Sequence, residues 1–434
     1  MKILIPVETS NRELLYKLYL CHLLVLKGFH CYLGRKSSIY YLIEEMREYI
    51  YLDKGYHENV SDKLYEQIKD NRGIIINLDE EGAVDYPDNS TLLNRYSAKM
   101  FEKVDFIFLW GNNQYDLVKE RINRRNRVIV SGHPRFELLK NKYHIFYEEE
   151  ANRIKKKYGN FILINTNMGF GNNIRGDSFV INNYGVRFKN IKRIIEFDKN
   201  KIKVIKSLVM KLAKDLDKKI VIRAHPEENI NYYNDIVDHN SVNAVYEGSV
   251  IPWLIAAEMM IHPDCTTAIE SLMLGKKSVS YLPQYYDENL VTKLPLEASY
   301  KFSDPDELMR FINNKIYLDE DIKLDEYKFL HDNFSFFEDS SRNIVNNISQ
   351  LINQSYSIKD NNLLINQRLI LIYKSLRSMI RNNKSSMLGN NKRKGFNYSN
   401  IKNIKEQFNN FNNEFKHVLF NRISNELFLF YHAS

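Results

Sequence analysis

Short apolar runs alternate with amphipathic stretches along residues 1–350. One such stretch covers residues 11–27, where Leu14, Leu18 and Cys21 recur at the spacing of one helix face. Because strands that alternate with helices build βα units, the pattern predicts parallel sheets. The predicted strands of the first half are residues 2–7, 30–33, 73–78, 105–110 and 127–131.

A second series of the same kind follows a charged connector at residues 141–160. Its predicted strands are residues 161–165, 219–223, 244–246, 259–262 and 278–282, with helices at 191–216 and 267–274. Two successive Rossmann-like halves predict an α/β enzyme with two domains that face a cleft. We place the domains at residues 1–150 and 151–350.

The net charge of the 434-residue chain is +8, and it is unevenly distributed. Residues 351–434 contain 13 Lys and Arg against 4 acids, so they carry +9 and leave −1 for residues 1–350. The same stretch is rich in Asn and has no Pro, which predicts a basic helical extension. A hydrophobic fraction of 44% excludes disorder of the whole chain.

The three cysteines, Cys21, Cys31 and Cys265, are scattered, so we expect neither a disulfide framework nor a zinc site. No signal-peptide core and no run of about 18 apolar residues is visible, so we expect a cytoplasmic protein. The chain has no Gly-x-x-x-x-Gly-Lys-Ser/Thr loop and no Gly-x-Gly-x-x-Gly after the first strand. We therefore expect no metal and no bound cofactor.

The first candidate site is an acidic run at the end of an apolar strand, Asp79-Glu80-Glu81, followed by Gly82. Three adjacent carboxylates repel one another, so at least one pKa should rise and suit general-base chemistry. The alternative is an ordinary acidic turn.

The second candidate is Arg223-Ala224-His225-Pro226, again at the end of an apolar strand. The Arg223 guanidinium suits a phosphate or a carboxylate, and His225 suits a phosphate oxygen. Pro226 forces the chain to turn there.

The third candidate is Thr266-Thr267 at a predicted helix start, with Glu270 one turn further on. Hydroxyls and backbone N–H groups at a helix start suit a phosphate, and Glu270 suits ribose hydroxyls. The alternative is a simple N-cap in which Glu270 completes a capping box.

Further candidates follow other strands. His133 and Arg135, in Gly132-His133-Pro134-Arg135-Phe136, either line the cleft or turn the chain. The remaining candidates are Asn165, Thr166, Asn167, Glu8 and Arg12.

Several of these motifs resemble those of known bacterial transferases. Glu80-Glu81-Gly82, His225-Pro226 and Thr266-Thr267 resemble, in the same order, the motifs of bacterial sialyltransferases. Related motifs occur in Kdo transferases, which share the GT-B fold and use CMP-activated sugars. The segments 132–136, 165–167 and 223–226 look more like the bacterial surface carbohydrate biosynthesis family, whose members build capsule or lipopolysaccharide.

This resemblance implies a metal-independent GT-B glycosyltransferase. It implies an acceptor-side first domain and a second domain that binds a nucleotide sugar, which we expect to be a CMP-linked ulosonic acid. Glu81 or Glu80 would be the general base, although Asp79 leaves the choice of acid open. His225 would bind the phosphate and assist its departure. Thr266 and Thr267 would hold the phosphate, and Glu270 would bind the ribose.

Two other functions remain open from the sequence. Teichoic-acid-type polyol-phosphate transferases, which use CDP-glycerol or CDP-ribitol, also have Gly-x-Pro-Arg and Arg-x-His-Pro motifs. A nucleic-acid-binding protein built around the basic extension is disfavoured, because residues 1–350 are near neutral.

The basic extension allows two interpretations. Apolar residues between positions 363 and 380 interleave with Arg368, Lys374, Arg377 and Arg381. This pattern is typical of a helix on an anionic membrane, where lipid-linked saccharide acceptors are found. It is equally typical of a helix packed on the catalytic domains with a solvated basic side.

Overall fold

The architecture was derived from a computed structural model of the chain. It describes residues 1–123, 127–185, 188, 190–238, 240–313, 325–353, 369–373, 377 and 395–433. The described chain divides into two compact units. Unit 1 comprises residues 1–82, 91–138 and 330–434, and unit 2 comprises residues 83–90 and 139–329.

Strands and helices alternate along most of the chain. The strands are β1 (Lys2–Val7), β2 (His30–Arg35), β3 (Tyr49–Asp53), β4 (Ile74–Leu78), β5 (Phe106–Leu109), β6 (Arg127–Val130), β7 (Phe161–Asn165), β8 (Lys219–Arg223), β9 (Val242–Val245), β10 (Met259–His262), β11 (Lys277–Tyr281), β12 (Tyr300–Phe302), β13 (Val418–Ser424) and β14 (Leu427–His432).

The helices are α1 (Ser10–Leu26), α2 (Lys36–Glu45), α3 (Asp62–Asp70), α4 (Ser90–Arg95), α5 (Ala98–Lys103), α6 (Asn112–Val118), α7 (Pro134–Glu137), α8 (Glu148–Tyr158), α9 (Asp177–Tyr184), α10 (Ile191–Asp215), α11 (Val250–Ala256), α12 (Thr267–Met273), α13 (Lys293–Glu297), α14 (Pro305–Ile312), α15 (Glu326–Phe334), α16 (Ser340–Asn353) and α17 (Tyr398–Phe411).

Unit 1 is built on an eight-stranded sheet with the order β13-β14-β2-β1-β3-β4-β5-β6. Strands β2 to β6 and β1 run parallel, whereas the hairpin β13–β14 joins β2 in the antiparallel direction. All six residues of β1 are buried. A strand covered on both faces needs a continuous apolar run, and β1 has one.

Unit 2 is built on a six-stranded parallel sheet with the order β12-β11-β10-β7-β8-β9. The central strand β7 is buried along its whole length. The long helix α10 packs on this sheet through one apolar face that includes Ile202, Ile205 and Leu212. Strand order reverses beside β7, and ligands of such sheets bind at the carboxyl ends of the strands there.

The predicted α/β class with two parallel-sheet, Rossmann-like parts is confirmed. Strands β1, β7, β8 and β10 have the predicted bounds, and most of the others differ by one or two residues. The pattern missed β3 and β12. Strand β3 has the sequence Tyr-Ile-Tyr-Leu-Asp, in which tyrosines and an acid conceal the apolar run, although all five residues are buried.

The predicted domain boundaries differ from the boundaries of the compact units. The N-terminal part of unit 1 ends at residue 138 and not at 150, because the predicted connector contains a helix, α8, that belongs to unit 2. Unit 2 ends at residue 329 and not at 350. The chain then returns to unit 1, to which the described residues after position 329 belong.

The prediction of a helical extension is wrong for residues 418–432, which form the hairpin β13–β14. Leu427 and Phe430 are fully buried, and Leu427 pairs with Gly34 of β2. Gly34 suits this close approach, since a Cβ there would lie 2.5 Å from Leu427 Cδ1 and 3.0 Å from the Glu426 carbonyl oxygen. Arg35 and Glu426 add an ion pair at 2.9 Å. The hairpin therefore completes the sheet.

Most of the predicted amphipathic segment between residues 363 and 381 lies outside the described residues. Within the described residues 369–373, Leu371 is buried in the core of unit 1. Leu369 and Tyr373 are exposed.

We predict that Leu427→Ala will lower the free energy of unfolding by about 2–5 kcal/mol, because it leaves a cavity between the hairpin and β2. The matched control is Leu419→Ala on β13, where the side chain is 40% exposed; it should change stability by no more than about 0.5 kcal/mol. Urea unfolding measures both. A loss of no more than about 0.5 kcal/mol for Leu427→Ala as well would show that packing of the hairpin on β2 does not stabilise unit 1.

Candidate functional site

Unit 1 gathers charged residues where β1, β3 and β4 end. The three strands are neighbours and parallel, so their carboxyl ends share one edge of the sheet. Glu8 follows β1, Lys54 follows β3, and the predicted acidic run 79–81 follows β4. Helix α1 begins at this edge and brings Arg12 to it.

Asp79 is held by Arg95. The side chain is buried, Arg95 Nε donates to Asp79 Oδ2 at 3.1 Å, and Arg95 Nη2 donates to Oδ1. The Asp79 carbonyl accepts the indole N–H of Trp110 at 2.7 Å. Because a guanidinium engages both of its oxygens, Asp79 anchors the loop and is not suited to accept a proton.

Glu80 is buried among donors. Lys17 Nζ lies 2.7 Å from Glu80 Oε1, and the Tyr16 hydroxyl donates to the same oxygen at 2.6 Å. Burial alone would raise the pKa of Glu80, but the charges of Lys17, Lys54 and Arg12 outweigh it and hold the pKa well below its ordinary value. Repulsion within the acidic run would raise the pKa of Glu80, but its pKa is lowered. Glu80 is therefore a poor base.

Glu81 is the accessible acid of the run, with 32% of its side chain exposed. Its carboxylate lies 3.7 Å from Arg12 Nη2 and 3.6 Å from Arg95 Nη1. The following Gly82 lies close to Gln114, whose amide group would have to move if a Cβ were added, since that Cβ would lie 2.5 Å from Gln114 Nε2. Glu81 is therefore the candidate base that the geometry favours.

The structure adds Glu13, Lys17 and Lys54, which the sequence analysis did not select. Lys17 Nζ lies 2.9 Å from Glu13 Oε2 and donates to the Pro6 carbonyl at 2.7 Å. Lys54 Nζ lies 2.9 Å from Glu13 Oε1. A signal was present: Glu13 and Lys17 are four residues apart on a helix whose residues 14–26 are mainly apolar, and charges on such a helix need partners if they are buried.

Glu8 and Arg12 form the accessible rim of this edge. Glu8 pairs with Lys54 at 2.9 Å and with Lys36 at 3.6 Å. Burial would raise the pKa of Glu8, but these two lysines lower it to about 2. Arg12 Nη2 lies 3.7–3.9 Å from Glu13, Glu80 and Glu81.

His133 and Arg135 have structural surroundings. His133 is fully buried, with its ring against Tyr16 and Trp110. Burial, assisted by Arg135, lowers the pKa of His133 well below its ordinary value, so the imidazole is neutral. Arg135 Nη1 donates to the Glu80 carbonyl at 3.1 Å, and its guanidinium lies over Phe136. The interpretation as a chain turn is favoured: His133 Nδ1 accepts the Arg135 backbone N–H and caps α7.

Unit 2 has a second edge of this kind, where β7, β8 and β10 end. Asn165 and Arg223 are the last residues of β7 and β8 and are direct neighbours in the sheet. Both are buried, with 3% and 8% exposure. Arg223 Nη2 donates to the Gly248 carbonyl at 2.9 Å.

Asn165 is oriented by the turn after β10. Its Nδ2 donates to Thr267 Oγ1 at 2.7 Å and to Cys265 Sγ at 3.3 Å. Thr267 Oγ1 in turn lies 3.2 Å from Cys265 Sγ, so this hydroxyl is engaged within the protein. The turn itself is held by His262, whose Nδ1 accepts the Cys265 N–H at 3.1 Å.

Asn167 belongs to a buried ionic cluster. Its Nδ2 donates to Asp264 Oδ1 at 2.9 Å. Lys201, from α10, lies 3.0 Å from Asp264 and 2.9 Å from Asp198, and all three charged residues are buried. Asp198 also accepts the backbone N–H of Phe170 at 3.1 Å. The cluster ties the loop after β7 to the turn after β10, and the sequence analysis did not identify it.

His225 lies in a turn that Pro226 shapes. The Glu228 N–H donates to the His225 carbonyl at 2.9 Å, with Pro226 at the favoured second position. His225 Nδ1 accepts the Glu227 N–H at 3.3 Å, which places the proton of the neutral ring on Nε2. The ring lies against the loop after β7, since a Cβ on Gly169 would be 2.9 Å from His225 Nδ1.

The remaining candidates of unit 2 differ in their availability. Thr166 Oγ1 donates to Glu228 Oε1 at 2.8 Å and accepts the His225 N–H at 3.2 Å, so it braces two loops. Thr266 is the residue before α12, and its side chain makes no capping hydrogen bond. The capping box, which was the alternative interpretation of Thr266 and Glu270, is therefore absent. Glu270 is buried within α12.

Three buried polar atoms at this edge have no hydrogen-bond partner among the described residues: Asn165 Oδ1, Asn167 Oδ1 and Arg223 Nε. Buried polar atoms in proteins are almost always paired. The orientation of Asn167 is fixed by its bond to a carboxylate, so its free atom is an acceptor. The edge of unit 2 thus offers two acceptors and one cationic donor to a ligand.

In the part of the chain that the structure describes, no group of three or more His, Cys, Asp or Glu side chains is arranged to hold a metal ion. The described helices include none with the length and apolar character needed to cross a bilayer. Cys21, Cys31 and Cys265 are free thiols in buried positions.

No protein-family profile and no curated protein sequence matches this chain. Among solved structures, UDP-GlcNAc 2-epimerase from Methanocaldococcus jannaschii is similar, with a TM-score of 0.52, 11% identity, and coverage of 81% of this chain and 100% of the other. MnaA of S. aureus, from a co-structure with UDP, has a TM-score of 0.49 and 13% identity, and the alignment covers 83% of this chain and 100% of MnaA. The wall teichoic acid polymerase TagF has a TM-score of 0.48 and 12% identity, and the alignment covers 82% of this chain and 88% of TagF.

The similarity to the epimerase extends over its whole chain and concerns the fold. Two parallel-sheet units of Rossmann type match the GT-B-like fold, as the sequence analysis predicted.

We predict that Glu80→Gln will make the free energy of unfolding depend less on pH in the acidic range. Since the folded-state pKa of Glu80 is lowered, its contribution is present above the ordinary value of 4.5 and is lost as the pH falls below it. At pH 7 the variant should lose about 3–5 kcal/mol, the cost of breaking a buried ion pair.

Urea unfolding between pH 3 and pH 7 measures this difference. Glu58→Gln, which removes an exposed pair with Lys99, is the control and should leave the curve unchanged. If Glu80→Gln retained the wild-type pH dependence, Glu80 would not be the ionised centre of this edge.

Proposed function

We propose that the protein is a glycosyltransferase that uses a nucleotide-activated sugar. One observation carries the proposal: Asn165 Oδ1, Asn167 Oδ1 and Arg223 Nε are buried at the carboxyl edge of the sheet of unit 2 without a partner among the described residues. This edge is where ligands of such sheets bind. A ligand with hydroxyl groups and a phosphate or carboxylate would satisfy all three atoms.

The donor that we propose is a CMP-linked ulosonic acid such as Kdo or a sialic-acid-like sugar. The support is the resemblance of the acidic, His-Pro and Thr-Thr motifs to those of the sialyltransferases and Kdo transferases. Arg223 supplies a planar guanidinium, which matches the carboxylate of such a sugar or the phosphate of CMP. Thr266 and Glu270 are proposed for the phosphate and the ribose. UDP-GlcNAc is the competing donor, since it is named for the epimerase that shares this fold.

In the proposed reaction, a hydroxyl of the acceptor attacks the anomeric carbon of the donor sugar. Glu81 takes the proton of that hydroxyl, because Asp79 and Glu80 are held in buried ion pairs. The bond between the anomeric carbon and the phosphate oxygen breaks, and the nucleotide leaves with its electron pair. His225 donates a hydrogen bond from Nε2 to the leaving phosphate. No metal takes part in this proposal.

The proposed acceptor is a saccharide or lipid-linked saccharide of a bacterial surface polysaccharide such as capsule or lipopolysaccharide. The protein would act in the cytoplasm at the inner face of the membrane. Support comes from the +9 charge of residues 351–434 and from the exposed Leu369 and Tyr373 beside the buried Leu371.

Polyol-phosphate transfer from CDP-glycerol or CDP-ribitol is the second candidate. The acidic element Glu80-Glu81-Gly82 favours the sugar transferase, but Glu80 is held in a buried ion pair with Lys17, so the element distinguishes less between the two reactions. The strand-end Arg-x-His-Pro motif suits either donor, because both carry a phosphate.

We predict that donor assays will show transfer or hydrolysis with a CMP-sugar and that Glu81→Gln will lower kcat by about 10²- to 10⁴-fold. His225→Ala should lower it by about 10²-fold or more, because a donor to the leaving phosphate is lost. The donor panel is CMP-Kdo, CMP-sialate, UDP-GlcNAc, CDP-glycerol and CDP-ribitol. Glu66→Gln, which is exposed, is the control.

The donor panel separates the candidates. Turnover of CDP-glycerol alone would favour polyol-phosphate transfer. Full activity of His225→Ala with every accepted donor would show that the assignment of this residue is wrong.

We further predict that Gly169→Ala will weaken nucleotide binding by about tenfold, because the added methyl group displaces the His225 ring. Isothermal titration with CMP and UDP measures the effect. In the His225→Ala background the same substitution should have little further effect, since the ring that it displaces is gone. Additive losses in the double variant would contradict this coupling.

A further inference from the structure

Unit 2 contains a buried carboxylate, Glu228, to which neither the sequence analysis nor the proposed reaction gives a role. Its side chain is only 4% exposed. None of its described contacts is with a cation: the donors are two hydroxyls and two backbone N–H groups. A carboxylate without a counter-ion is costly to bury, so its position needs an explanation.

Glu228 Oε1 joins the two segments that carry the proposed ligand-binding residues. On the side of β7 it accepts from Thr166 Oγ1 at 2.8 Å and from the Met168 N–H at 2.9 Å. On the side of β8 it accepts a longer hydrogen bond, 3.4 Å, from the His225 N–H. Thr166 Oγ1 also accepts from the His225 N–H, at 3.2 Å.

Backbone contacts continue this junction. The Ile174 N–H donates to the Glu227 carbonyl, and the Asn229 N–H donates to the Asn172 carbonyl, both at 2.9 Å. The loop after β7 therefore runs beside the turn after β8, with Glu228 at its base. Asn165 and Asn167 lie on one side of the junction and His225 on the other.

The second oxygen of Glu228 has a different task. Oε2 accepts from the Tyr233 hydroxyl at 2.7 Å. Tyr233 is fully buried in the apolar core of unit 2. The hydrogen bonds of Oε1 thus connect the two segments that carry the proposed ligand-binding residues, whereas the hydrogen bond of Oε2 connects Glu228 to the core.

We propose that Glu228 is a positioning residue of the nucleotide-binding edge, which fixes His225 relative to Asn165 and Asn167 through Oε1. The functional part of this inference rests on the proposed function, because it assumes that these residues bind a nucleotide. Glu228 itself touches no substrate.

The chemistry of the site provides a conservative variant. Burial raises the pKa of Glu228, although the hydrogen bonds from Tyr233 and Thr166 oppose it, so the negative charge itself is not stabilised there. A neutral glutamine keeps one acceptor for Thr166, Met168 and His225. Its amide group donates to the Tyr233 oxygen, which accepts as well as donates. Glu228→Gln should therefore preserve the junction.

The experiment compares Glu228→Ala, Glu228→Gln and Thr166→Val with Tyr233→Phe, which removes the hydroxyl that donates to Oε2 and leaves every described bond of Oε1 in place. Each full-length variant is examined by urea unfolding, by hydrogen exchange of peptides spanning residues 166–170 and 223–229, and by titration with CMP and UDP. Thr166→Val is nearly isosteric and provides an independent variant should Glu228→Ala fail to fold.

We expect Glu228→Ala and Thr166→Val to weaken nucleotide binding by about tenfold or more and to accelerate exchange in both peptides by a similar factor. Glu228→Gln should restore both to within about threefold of the wild type. Tyr233→Phe should lower stability but leave exchange in these peptides and nucleotide affinity within about twofold.

The positioning role is overturned if Tyr233→Phe affects exchange and binding as strongly as Glu228→Ala, or if Glu228→Ala changes neither. The two proposals can fail separately. If the wild type binds neither nucleotide, the proposed function fails. Hydrogen exchange alone then tests whether Glu228 holds the two segments together. Faster exchange that is confined to the two peptides in Glu228→Ala and Thr166→Val, and absent in Tyr233→Phe, supports this role. Faster exchange throughout the protein overturns it.

Discussion

A buried lysine between two carboxylates organises the functional edge of each unit. In unit 1, Lys17 lies between Glu13 and Glu80, and in unit 2, Lys201 lies between Asp198 and Asp264. In both cases one acid comes from the same helix as the lysine, and the other follows a strand of the sheet. Each lysine therefore ties a helix to a strand end. Removing one member of such a buried cluster leaves an uncompensated charge, at a cost of about 3–5 kcal/mol.

These clusters decide which nearby side chains are available for chemistry. Asp79 and Glu80 are adjacent acids that both lie in ion pairs, so only Glu81 of the run presents its carboxylate to solvent. In unit 2 the cluster and Glu228 connect the loops through ion pairs and hydrogen bonds, while Asn165 Oδ1, Asn167 Oδ1 and Arg223 Nε have no hydrogen-bond partner among the described residues. Side chains that are already held in place need not be ordered when a ligand binds, so such an edge suits the proposed ligand.

The sequence was most informative where a local pattern corresponds to a local structure. The apolar run of β7 and the spacing of α1 predicted both elements, because burial on both faces of a strand, or on one face of a helix, leaves a regular trace. It was less informative for β3, where tyrosines and an acid occupy buried positions, and for the C-terminal hairpin. The hairpin is a strand pair only because β2 offers it an edge some 390 residues earlier, and no local pattern records that pairing.

The sequence by itself determined the α/β class and the strand ends at which chemistry is expected, and it supplied Arg223, His225 and the acidic run 79–81 as candidates. Only the tertiary structure decided which of them are accessible, because accessibility depends on partners that are distant in the chain. Lys17 and Glu80 are 63 positions apart, and Lys201 and Asp264 are likewise 63 positions apart. Pairing with Lys17 makes Glu80 an acid that stabilises the fold, whereas the more exposed Glu81 remains the candidate for accepting a proton.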